Sequence, residues 1–134
     1  MEIGSFDDLL RAARAQAQPQ RLLFVFAGAQ LPEGASAEQR AQFDAGEGGE
    51  LAPLMCVDKA PAELVDFAGL AAEAAQAGPP WAIMFAAALA GRHGAAPTSE
   101  DAAAPLQRMV DAIKEGRIDG FLPFDRDGKP VRLA

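Results

Sequence analysis

Tyrosine is absent from this chain, and cysteine, histidine and tryptophan occur once each, as Cys56, His93 and Trp81. A single cysteine excludes an internal disulfide, and one cysteine with one histidine gives no basis for a transition-metal centre. No uncharged run is long enough for a bilayer: Trp81–Gly91 is about half of the roughly 20 residues a spanning helix needs. The opening residues carry neither the basic start nor the apolar stretch of a secretory signal. The expectation is a cytoplasmic protein in a reducing compartment, with no membrane attachment. Basic residues are also scarce, 12 Lys and Arg against 19 Asp and Glu, for a net charge of −7. An acidic chain repels phosphate backbones, so nucleic acid is not an expected partner. No glycine-rich phosphate loop follows a strand pattern, and no cofactor is implied.

The organising stretch is Leu22 to Ala27, six apolar residues with Phe24, Val25 and Phe26 at the centre. Two aromatics and a β-branched residue in succession suit a strand covered on both faces, punctuated by Arg21 before it and Gly28 after it. Trp81–Leu89 is a second uncharged run of the same kind. Half of the 134 residues count as hydrophobic, but 31 of them are alanine, so eight Phe and the scattered Leu, Ile, Val and Met must fill the core.

In chain order, Ser5-Phe6-Asp7-Asp8 reads as a capping box before a helix that buries Phe6, Leu9, Leu10 and Ala13 and stops ahead of Pro19. Residues 28–50 form a glycine-rich excursion, expected to be the mobile part of the chain, with a short helix opened by Ser36-Ala37-Glu38-Gln39. Leu51–Val57 reads as a strand in which Pro53 demands an edge or a strand start. Pro61 suits the first turn of a helix carrying Leu64, Phe67, Leu70, Ala71 and Ala74, stopped by Gly78. After a loop at 91–97, Thr98-Ser99-Glu100-Asp101 offers a helix start, and Pro105 is expected to interrupt it. The stripe Leu106, Met109, Val110 and Ile113 marks the secure helix, ending at Gly116. Phe121–Phe124 and Val131–Leu133 flank a tight turn at Asp125–Lys129 and read as a C-terminal β-hairpin.

This alternation predicts one layered α/β domain over 1–134, a mixed sheet of four to five strands packed by three to four helices, with some parallel pairing. An α+β alternative pairs the first two strands antiparallel across the excursion.

If the strands run parallel, their carboxyl ends form a rim carrying Gln30, Asp58, Lys59, Arg92 and His93. An aspartate beside cations can handle a proton, and histidine as a residue type changes charge near neutral pH. Gly91-Arg92-His93-Gly94 before Thr98-Ser99 also suggests an anion held on backbone amides at a helix start. Asp58 as a helix starter and Lys59, Arg92 and His93 as surface loop residues are the simpler reading. Cys56, among apolar neighbours, is expected to be a buried, inert thiol. Asp125-x-Asp127-Gly128 lacks the later ligands of a calcium loop and reads as a turn. Acids concentrate in residues 33–76, nine against two bases. Glu33, Glu38, Asp44, Glu47, Glu50, Glu63, Asp66 and Glu73 make a candidate surface for a partner with a basic face.

The segments Arg21–Pro32, Pro53–Lys59, Gly78-Pro-Pro-Trp81 and Gly120–Gly128 resemble a small proteobacterial family whose members carry the description "ribonucleotide reductase subunit alpha". The large subunit of that enzyme works through a radical-bearing cysteine and a reducing cysteine pair. This chain has one cysteine, so the resemblance transfers no catalytic residue. The pattern of opening helix, apolar strand, glycine-rich gap, Pro-Leu strand and the acidic Ala60–Phe67 is also similar to SseB-like domains of secretion-associated and regulatory proteins.

No catalytic constellation stands in the sequence. The leading expectation is a protein-binding, adaptor or regulatory module, monomeric or dimerising through an edge such as Val131–Leu133. The alternative is a small enzyme or ligand sensor that takes an anionic small molecule at the rim.

Overall fold

A central strand built almost wholly of apolar residues sets the architecture. β1, Gln20–Gln30, is buried continuously from Leu22 to Gly28 and pairs on both sides. The structure, a computed structural model, describes residues 3–31, 33–45 and 50–132. Around β1 are α1 (Phe6–Arg14), α2 (Ala37–Asp44), β2 (Glu50–Lys59), α3 (Phe67–Ala77), β3 (Ile83–Ala90), α4 (Ser99–Lys114) and β4 (Leu122–Phe124). The sheet has the order β2-β1-β3-β4, and every neighbouring pair is antiparallel.

The fold is thus the α+β alternative, and the expected mixed sheet with parallel pairing is not formed. β2 and β3 do run the same way, joined by the crossover helix α3, but β1 is inserted between them. A crossover of that kind leaves the same strand–helix–strand pattern in the sequence as a parallel unit, which is why the pattern misleads. Pairing of β1 with β2 shifts register between Phe26 and Ala27, leaving Leu54 as an extra residue in β2. Gly28 admits that bulge, because a Cβ there would lie 2.9 Å from Leu54 Cδ1.

Alternation along β1 sends Leu22, Phe24 and Phe26 to one face and Leu23, Val25 and Ala27 to the other. The first face packs against α1 and α3 through an aromatic cluster. Phe6 lies 5.7 Å from Phe24, 5.4 Å from Phe67 and 5.8 Å from Phe124, ring centre to ring centre, and Trp81 closes on Phe26 at 5.0 Å. Polar contacts tie these helices together: Arg14 donates to the Leu64 carbonyl at 2.5 Å, and Asp7 accepts from the Phe67 amide at 3.2 Å. The second face packs against one helix, α4, through Ala102, Leu106, Met109 and Ile113, with Ile118 and Phe121 of the following segment alongside.

Several boundaries differ from expectation for local reasons. The helix predicted from Pro61 splits into a 3-10 turn, Pro61–Glu63, and α3, whose start is set by Asp66 accepting from the Gly69 amide at 2.9 Å. α4 runs unbroken through Pro105, because buried Ala102 and Leu106 anchor it on either side of the proline and that packing outweighs the roughly 3 kcal/mol penalty. The C-terminal hairpin is rudimentary: β4, a turn, and a bridge from Phe124 to Pro130. Leu133 lies outside the described residues, as do 46–49 of the excursion.

Candidate functional site

Antiparallel pairing separates the residues of the predicted rim. Gln30 stands opposite Glu50 at one end of the sheet, whereas Asp58, Lys59 and Arg92 lie toward the other, where Gln20 pairs with Ala90. Gln30 therefore drops out of the rim. The remaining residues do not converge either, because β1 intervenes between the ends of β2 and β3.

Asp58 and Lys59 face opposite sides of β2, as neighbours in a strand must. Asp58 accepts from Arg21 Nε at 2.6 Å, with both side chains largely buried at 17% and 14% exposure. Burial pushes this carboxyl up, but hydrogen bonding from the Ser99 hydroxyl and the Arg21 guanidinium outweighs it and holds Asp58 below its usual 3.8. Arg21 also lies 3.9 Å from Glu63. This cluster joins β1, β2 and the start of α4, a structural role more than a reactive one. Lys59 donates to Glu73 of α3 at 2.8 Å.

Arg92 and His93 belong to a tight turn. The Arg92 amide donates to the Ala95 carbonyl at 3.1 Å, the Ala95 amide donates back at 2.9 Å, and His93 has a φ of 53°. Arg92 lines an open groove of about 550 Å³ between the end of β3 and α4, whose other charged walls are Asp101 and Arg108. His93 is not among the lining residues. Arg108 was not singled out in the sequence, since it sits on the polar side of a helix read only for its apolar stripe.

Cys56 is exposed, contrary to the expected buried thiol. Its neighbours in sequence are apolar, but β2 is an outer strand and none of its residues is fully buried. Between β2 and α3 lies a smaller, mostly apolar cleft of about 170 Å³, with Met55, Val57, Leu70 and Ala74 in its wall and Glu73 at its margin.

The acids of 33–76 divide. Glu33, Glu38, Asp44 and Glu50 are exposed around the excursion, with no ion pair among the described residues. Glu63 accepts from the Ala60 amide, Asp66 caps α3 and Glu73 pairs with Lys59, so these three are partly engaged. Glu47 lies outside the described residues. Asp125 accepts from the amides of Asp127 and Lys129 at 2.8 and 3.0 Å, the geometry of a turn. Among the described residues no helix is long and apolar enough to cross a membrane.

Against this geometry, comparison with known proteins gives no matching family model, no matching curated protein and no matching solved structure.

Proposed function

We propose that this protein is a protein-binding module that receives an extended segment of a partner along the outer edge of β2. The observation that carries the reading is the open edge itself: among the described residues β2 pairs only with β1, and it is uncharged from Leu51 to Val57. Unpaired amides and carbonyls on such an edge are a template for an added strand. Pro53 and the bulge at Leu54 blunt the first half, which leaves Met55–Lys59 as the usable stretch. The cleft beside it offers an apolar pocket for a side chain of the incoming strand, with Glu73 at its margin. The partner is accordingly an extended peptide with an apolar residue for the cleft; the protein's net charge of −7 favours one of basic character, whose attraction weakens with salt. Its single exposed cysteine fits a reducing, cytoplasmic setting.

The test is capture of partners by the tagged full chain at low and high salt, repeated with Cys56→Lys, which places a charge on the edge without disturbing the core. A partner that shields Cys56 from alkylation and is lost both at high salt and with Cys56→Lys supports the reading. No partner, or one indifferent to Cys56→Lys, overturns it.

A further inference from the structure

The geometry points to a second site, independent of the β2 edge: the groove between β3 and α4 binds a small molecule through a carboxylate or phosphate group held by Arg92 and Arg108. The groove, about 550 Å³, is within the range of small-molecule pockets, and Leu89 and Pro105 give it apolar wall beside the charged groups. It exists because α4 packs chiefly over β1 and β2, leaving the outer half of β3 uncovered.

Two cations on one concave surface are unexpected in a chain of net charge −7. Arg11, Arg14, Arg21 and Arg117 each have a carboxylate or carbonyl partner. Arg92 and Arg108, like Arg40, Arg126 and Arg132, have no ion pair and no side-chain hydrogen bond among the described residues; what distinguishes these two is that both line the same groove. The acid in the same groove, Asp101, accepts from the Thr98 amide at 2.9 Å, while the Thr98 hydroxyl accepts from the Asp101 amide at 3.0 Å; these bonds, and secondarily the charge of Arg92, hold its carboxyl below the usual range. That box uses the Thr98 and Asp101 amides, two of those at the start of α4, and the groove assigns the anion to the guanidinium groups that line it more than to the helix end anticipated from the sequence. A planar guanidinium matches the two oxygens of a carboxylate or phosphate with parallel N–H donors.

Arg92 is presented by a stiff support. Its turn is closed by the two bonds with Ala95 and docked against the chain before β1, where the Gly91 amide donates to the Pro19 carbonyl at 2.8 Å and the Gly94 amide to Gln18 Oε1 at 3.1 Å. Arg108 projects from the helix face that also carries Asp101 and Pro105. One side of the site is thus a locked turn and the other a helix, so the backbone is already ordered and binding must immobilise only the two arginine side chains.

The experiment is an amide NMR titration of the full chain with inorganic phosphate and, separately, with succinate, at ionic strength held constant with chloride. At least one probe should give saturable shifts centred on Gly91–Ala96 and the turn of α4 around Arg108. Arg92→Gln and Arg108→Gln should each weaken binding about tenfold or more without altering the melt, since both side chains are exposed. Arg117→Gln, which removes the same charge outside the groove, should leave it unchanged. A response to phosphate alone assigns a phosphate group, and to succinate alone a carboxylate. No saturable shift with either probe, shifts that survive both groove substitutions, or equal weakening by Arg117→Gln would each overturn the proposal.

Discussion

The two faces of the sheet are built from the same strand yet held by different means. On one, six aromatic rings, Phe6, Phe24, Phe26, Phe67, Trp81 and Phe124, interlock beneath two helices. On the other, mostly aliphatic side chains meet a single helix that leaves part of β3 uncovered. Large rings in edge-on contact exclude water over a wide area with few side chains to immobilise. One helix cannot span a four-stranded sheet, and the groove is the shortfall. Stability is concentrated on the aromatic face, and open concave surface is left on the other.

That contrast can be broken by substitution. Phe24→Ala, at a fully buried position touching Phe6, should cost about 3–5 kcal/mol in urea unfolding. Met109→Ala beneath α4 should cost less, about 2–3 kcal/mol, because that face borders open groove and has more room to relax. Equal losses would abolish the distinction between the faces. Arg21→Met, at the ion pair on the α4 face, should cost about 1–3 kcal/mol near neutral pH by leaving Asp58 largely buried without its cation. Asp58 is depressed in the folded protein, so its contribution is present above the ordinary value of 3.8 and lost as pH falls through the lower folded value. The gap between Arg21→Met and the parent should therefore close in acid, as denaturation at stepped pH would show. Smallest of all, Ser36→Ala should shift global stability by less than about 0.5 kcal/mol, since α2 buries no residue. Its effect should be confined to faster amide exchange in α2, where the capping box is lost.

Much of this was legible residue by residue. Leu22–Ala27 announced a strand covered on both sides, the stripe at Leu106, Met109 and Ile113 announced α4, and Ser36 and Thr98 announced their helix starts. Strand direction was not legible, because insertion of β1 between β2 and β3 leaves no local trace. The same blind spot scattered the predicted rim, which assumed parallel strand ends; Cys56 was misjudged because its apolar neighbours were weighed above Pro53, which already pointed to an edge or a strand start. Arg108 was missed because a charged residue on a helix's polar side is the commonest of surface features. Its place beside Arg92 in one groove, a fact of three dimensions, sets it apart.

One contact joins parts of the chain that lie far apart in sequence. The Phe6 amide donates to the Gly128 carbonyl at 2.8 Å, Gly128 has a φ of 78°, and the Phe67 ring lies against it so closely that a Cβ would be 2.8 Å from Cγ. The first turn of α1 is thus completed by a distant loop that only glycine can shape. Such a closure adds long-range contacts to the route by which the chain folds, and long-range contacts slow folding because the loop must close before the contact rewards it.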